Sequence, residues 1–280
     1  MEIHFTKMEG CGNDYIYIDG ASYRLDEKEK PDFVRKVSDR HFGIGSDGVI
    51  FINPSAIADF EMEMYNADGS RSEMCGNGIR CVAKFVYDKG MIDRTEMTIE
   101  SMGKIKGITV YPKDGFVQSV RVDMGEPILD PALIPVTSEK EPVVDEPILV
   151  KDQEYRMTCV SMGNPHAVVF LDPDELKIEE LGPFFENHER FPRRTNTEFV
   201  KILDRNNVKM RVWERGTGET LACGTGCCAT AVACILNGLT DEKIAVHVRG
   251  GVVEIEWNRQ TNRVYMSGPA TTVFEGEIQW

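Results

Sequence analysis

The stretch W-E-R-G-T-G-E-T-L-A-C-G-T-G-C-C-A-T-A-V-A-C-I-L-N-G, residues 213–238, sets the plan of the chain. A strand ending near Glu214 runs into a polar, glycine-rich loop, and the loop delivers Cys223 to the start of a helix. That helix is small or apolar on every face, so it cannot turn any side to water and sheet must surround it.

The same plan occurs earlier in the chain. Cys75 and Cys223 keep the same separation as Tyr65 and Trp213, Asn66 and Glu214, Gly90 and Gly238, and Gly103 and Gly251. Each half therefore carries strand, polar loop, Cys-Gly-x-Gly, helix, strand and glycine in one register. Weaker echoes pair G-N-D at Gly12 with G-N-P-H at Gly163, and S-D-G-V-I-F-I at Ser46 with N-T-E-F-V-K-I at Asn196, at nearly the same separation. Several matches at one offset argue for two similarly folded domains.

Elsewhere, strands are expected at Ile3–Phe5, Tyr15–Ile18, Val49–Ile52, Phe60–Tyr65, Met97–Glu100, Ile105–Val110 and Val117–Val122. Helices are expected over about 31–40 and 78–88, and the proline-rich segment Pro127–Pro147 reads as a linker. The expected architecture is α+β: two pseudo-symmetric domains, each a curved mixed β-sheet or barrel wrapped around a central apolar helix.

Composition narrows the function. With 280 residues the chain can bury a large core, and 41% hydrophobic and 28% charged residues suit a soluble enzyme. A net charge of −14 disfavours nucleic acid and anionic membrane surfaces, which reward positive charge. No apolar run approaches the roughly 18 residues of a membrane helix, and M-E-I-H-F-T-K-M-E-G lacks a signal core, so a cytoplasmic protein is expected. Eight cysteines in so long a chain, several adjacent, do not form a small disulfide framework and read as thiols in a reducing compartment.

Two of these thiols stand apart. A helix N-terminus offers unsatisfied N–H groups and the positive end of the macrodipole, which can bring a cysteine pKa from about 8.5 toward neutrality. Glycines following each cysteine let those N–H groups approach an anion. Two thiols beside two anion nests suit a substrate with a carboxylate next to the reacting carbon. Cys81, Cys159, Cys227, Cys228 and Cys234 read instead as small buried residues, and no metal site is expected because Cys75 and Cys81 lack zinc-ligand spacing.

The residues N-A-D-G-S-R-S-E-M-C-G-N-G-I-R-C, G-N-P-H and E-R-G-T-G-E-T-L-A-C-G-T-G resemble diaminopimelate epimerase, and the likeness extends from G-C-G-N-D near the N-terminus through the rest of the chain. The resemblance implies a cofactor-independent isomerase that interconverts LL- and meso-diaminopimelate in lysine and peptidoglycan synthesis. It implies Cys75 and Cys223 as the acid–base pair, one thiolate removing the α-proton while the other thiol donates one. It carries over Asn13, Asn66, Asn164, Asn196, Glu214 and Arg215 as substrate contacts, Gly76, Asn77, Gly224 and Thr225 as the nests, and His166 as a supporting residue. Glu214 would take the distal ammonium and Arg215 the distal carboxylate. Some family members place glutamine where Gly48 stands, so position 48 is not counted as a contact.

Domain boundaries follow at 1–121, with 269–280 returning as a strand, and 122–268, the active site lying in the cleft between. The expected assembly is a homodimer. The runner-up is a racemase of the proline racemase type, whose first motif carries histidine where Asn77 stands. A binding protein gripping an amino acid between two nests would have no use for paired thiols. The dinucleotide reading of Gly43, Gly45 and Gly48 fails because strand and helix come in reverse order, and that of Gly224–Ala229 because a long polar loop separates it from its strand.

Overall fold

Alternation of buried and exposed residues marks some strands, as in Glu96–Ser101, where Met97, Ile99 and Ser101 point inward, whereas others, such as Gly48–Asn53, are nearly continuous buried runs. The computed structural model describes residues 1–72 and 76–280. Its internal contacts divide the chain into two units, Met1–Val122 with Gly268–Trp280, and Asp123–Ser267.

In the first unit β1 (Glu2–Gly10) and β2 (Asn13–Asp19) form an antiparallel hairpin. β2 runs parallel to β3 (Gly48–Asn53), and β3 antiparallel to β4 (Phe60–Asn66). β4 pairs antiparallel with β5 (Arg71–Ser72) and parallel with β6 (Glu96–Ser101). β7 (Lys104–Lys113) and β8 (Phe116–Gly125) continue antiparallel. Each parallel step needs a crossover, supplied by α1 (Lys30–Ser38) and α2 (Gly76–Asp88).

The second unit repeats every sense of pairing in the same order. β10 (Gln153–Ser161) and β11 (Pro165–Phe170) are antiparallel, and β11 is parallel to β12 (Asn196–Asp204). β12 is antiparallel to β13 (Asn207–Glu214), which pairs antiparallel with β14 (Gly218–Thr220) and parallel with β15 (Lys243–Val248). β16 (Gly251–Asn258) and β17 (Arg263–Gly268) follow antiparallel. The crossovers are α3 (Ile178–Glu186) and α4 (Gly224–Leu236).

The edge of β10 is taken by its predecessor β9 (Glu146–Val150), whereas β1 is met by the chain's last strand, β18 (Thr271–Gln279), with Ile3 opposite Ile278. The same place in the two units is thus filled by the preceding strand in the second unit and by the chain's last strand in the first.

Strand pairing also corrects the register of the weaker echo. Val49 lies opposite Tyr65 and Thr197 opposite Trp213, so β3 and β12 keep the same separation as the two cysteines. Asn196 is therefore the counterpart of Gly48, not of Ser46.

Helix α4 is enclosed as its composition requires. Gly224 and every residue from Gly226 to Cys234 are buried, and the helix packs against β10, β11, β12, β15 and β16. Its end is set by Gly238 at φ 69°, whose N–H bonds to the Ile235 carbonyl while Leu239 N–H bonds to Cys234. Helix α2 buries charge as well: Arg80 donates to the carbonyls of Pro269 and Gly76, and Lys84 to that of Val117. It begins at Gly76, earlier than the 78 expected from sequence.

The segment expected as a linker is part of the second unit. Ile134, Val136 and Val143 enter its core beside Phe185 and Phe199, and Ile128 exchanges backbone hydrogen bonds with Ser161. Prolines limit its regular structure, but its apolar residues are what fix it in place.

Candidate active site

In the second unit the parallel pair β11–β12 sets His166 beside Asn196 and Val168 beside Glu198. Side chains two apart on a strand share a face, so His166, Asn196 and Glu198 point the same way. His166 is fully buried, its Nδ1 2.7 Å from Glu198 Oε1 and its Nε2 3.0 Å from Asn164 Oδ1.

The Asn196 amide ties two loops together. Nδ2 donates to the Pro165 carbonyl at 2.9 Å, and Oδ1 accepts from Arg215 N–H at 2.8 Å. An amide has two donors and two lone pairs, so one of each remains for a ligand. Glu186, at the end of α3, accepts from Trp213 Nε1, Gly216 N–H and Arg194 Nη1 at 2.7–2.9 Å, which fixes the E-R-G turn from below. Arg215 Nη1 donates to the Arg193 carbonyl at 3.0 Å.

Cys223 caps α4 with an extended backbone, φ −122° and ψ 111°. Its sulfur accepts from Gly226 N–H at 3.4 Å and lies 3.5 Å from Thr225 Oγ1. The thiol is 6% exposed. Glu214 accepts the Thr220 hydroxyl and is within hydrogen-bond reach of this thiol, so its carboxyl lies beside Cys223. Burial raises the Glu214 pKa.

The expectation of a lowered Cys223 pKa is overturned. Burial first, then the charges of Glu214 and Glu198, push the thiol well above its ordinary range, against the opposing effects of Thr225 and the Gly226 N–H. A helix terminus contributes at most about 2 kcal/mol, roughly 1.5 pKa units. Full desolvation is worth up to about 3–5 units, so burial wins.

In the first unit α2 starts at Gly76, and Asn77 is buried with its Oδ1 lacking a hydrogen-bond partner among the described residues. Asn13 donates to Asp47 at 2.8 Å, and Asn66 to the Ser70 hydroxyl at 3.0 Å. Cys75, expected as the second acid–base residue, lies outside the described residues.

Gly48 has a steric reason. A Cβ there would sit 1.9 Å from the Tyr65 carbonyl oxygen and 2.9 Å from the Tyr15 ring, so a larger residue requires backbone movement. We expect Gly48→Ala to destabilise by about 3 kcal/mol, read as a lowered urea midpoint with unchanged slope. A wild-type midpoint would contradict this account.

Glu198, Glu186 and Asp47 were not singled out from sequence. Asp47 lies in a loop beside a motif residue, but Glu198 is one acidic letter in a strand, and Glu186 ends a helix remote in sequence from the turn it holds.

The model of the family described as Diaminopimelate epimerase matches residues 5–129 and 158–273. A diaminopimelate epimerase from Agathobacter rectalis is 58% identical, the alignment covering 98% of each chain. One from Methanococcus maripaludis is also 58% identical, covering 98% of this chain and 99% of its own. The chain belongs to the diaminopimelate epimerase family.

Fold likeness reaches further than the diaminopimelate epimerases. A hydroxyproline epimerase from Agrobacterium vitis superposes with a TM-score of 0.68 at 14% identity, over 99% of this chain and 91% of that one, which shows a common fold alone. Among the described residues of this family member, no helix is long and apolar enough to cross a membrane.

Proposed function

We propose that the chain interconverts LL- and meso-diaminopimelate by proton removal on one face of the α-carbon and proton delivery on the other. The observation that carries the reading is the Cys223 thiol, set at the start of a buried helix between the Gly226 N–H, Thr225 and the Glu214 carboxyl. In one direction a thiolate takes the α-proton, the C–H pair stays on carbon as a carbanion, and the opposite thiol protonates it. In the other direction the roles exchange.

Because burial and two carboxylates keep Cys223 protonated, we assign it the donor role in the resting enzyme. Cys75, at the matching place before α2, is assigned the base. Glu214, buried beside the thiol, is better placed to exchange a proton with Cys223 than to hold a distal ammonium. Arg215 is left for the distal carboxylate. The Asn77 Oδ1, unpartnered among the described residues, is suited to an ammonium, and the helix-start N–H groups to the α-carboxylate. A cytoplasmic location and a homodimer belong to the same reading, the latter checked by light scattering.

The test is α-hydrogen exchange of diaminopimelate in deuterated water, followed by NMR under reducing conditions with neither pyridoxal phosphate nor metal added. Exchange with conversion between the LL and meso forms is expected. Absence of exchange, or exchange that appears only on adding pyridoxal phosphate, would overturn the proposal.

A further inference from the structure

The second unit holds a charged group that the two-thiol reaction does not by itself account for. Glu198 is fully buried on β12, with Oε1 2.7 Å from His166 Nδ1 and Oε2 without a hydrogen-bond partner among the described residues. A Cβ built on Gly226 would come within 2.7 Å of that same Oε1. The first turn of α4 thus approaches the carboxylate as closely as a backbone without side chain allows.

Burying a carboxylate costs several kcal/mol, and a well-packed apolar residue usually serves stability as well or better. The fold itself gives that comparison. Glu198 lies opposite Val212 on β13, and the corresponding residue of the first unit, opposite Met64 on β4, is the fully buried Ile50. Across the parallel pair, Glu198 has Val168 beside it where Ile50 has Tyr17. The architecture therefore accepts an aliphatic side chain at this position, and only the unit carrying Cys223 replaces it with an acid.

We propose that Glu198 is a positioning residue of the Cys223 site, fixing the orientation of the His166 ring and, through it, of the Asn164 amide. A carboxylate can only accept, so Nδ1–H is committed to Glu198 and Nε2 faces the Asn164 amide, accepting from its NH2 when the ring is neutral and donating to its oxygen when the ring is charged. The ordered line from Glu198 through His166 to Asn164 ends on a half-buried side chain in the turn before β11. The Glu198 charge also raises the Cys223 thiol, adding to burial and Glu214. Among the described residues the titratable groups facing the thiol are Glu214 from β13 and Glu198 from β12, with His166 from β11 acting on Glu214.

The role of Asn164 and Cys223 toward diaminopimelate rests on the function proposed above, so the experiment has arms that need no substrate. Glu198→Gln keeps the shape and an acceptor oxygen but removes the charge; Glu198→Ala removes both. In the folded proteins, the pH onset of Cys223 alkylation by iodoacetamide, read by tandem mass spectrometry, should fall by at least half a unit in both variants. The low-field Nδ1–H resonance of His166 should move in Glu198→Gln and vanish in Glu198→Ala.

With diaminopimelate, Glu198→Ala should raise KM about tenfold or more, while Glu198→Gln should stay within about threefold, because only the first frees the ring. Wild-type alkylation onset and an unshifted His166 resonance in both variants would overturn the proposal, and so would equal KM values for the two. If wild-type protein exchanges no α-hydrogen while the alkylation and imidazole arms behave as stated, the substrate reading fails and the positioning of His166 by Glu198 stands.

Discussion

Cys223→Ala should lower epimerisation by about a thousandfold or more, while leaving the protein folded. A positioned acid or base contributes typically 10²–10⁴ in rate, and among the described residues no other group stands in the thiol's place at this helix start. The nearest candidate is Glu214, whose carboxyl lies beside the thiol, but it is already engaged by the Thr220 hydroxyl. Removing a sulfur that only caps a helix would cost about 1 kcal/mol of stability, with no such effect on rate. Activity and urea midpoint measured on the same preparation separate the two. Near-normal turnover would end the two-thiol mechanism, as would near-normal turnover by Cys75→Ala.

What could be read from the letters follows the range of the interactions involved. Helix α4 was legible because small and apolar residues on every face leave only one environment for it, and burial from Gly226 to Cys234 matches. The repeat was legible because the loop and helix-start residues are alike in both halves. Its weaker part slipped by two residues at β12, since S-D-G and N-T-E resemble each other by type, whereas register is set by pairing with β4 and β13. Pro127–Pro147 looked like a linker because proline content is visible and the long-range contacts of Ile134 and Val143 are not. The direction of the Cys223 shift was missed for a related reason. A helix start can be recognised locally, but the two acids that outweigh it come from β12 and β13, and the desolvation from the surrounding core.

Alkali should unfold this protein steeply, because its thiols are held neutral by burial. Cys159, Cys223 and Cys234 are all raised, Cys234 to about 12, in each case with desolvation as the largest cause. In the unfolded chain the same thiols ionise near 8.5. The stabilisation of the protonated folded form is therefore complete below that pH and is lost as pH rises toward the folded values. Over that window each thiol removes about 1.4 kcal/mol per pH unit, and three together about 4. A protein with roughly 5–15 kcal/mol to lose cannot survive many such steps. Cys11, also raised by burial, adds in the same direction. Urea titrations under reductant at pH 8, 9 and 10 should show the midpoint falling at an increasing rate. Cys234→Ala should flatten that fall by about 1.4 kcal/mol per pH unit, whatever its own cost at neutral pH, since it deletes one of these ionisations. A midpoint insensitive to pH up to 10, or a Cys234→Ala curve parallel to wild type, would mean that the buried thiols do not govern stability in alkali.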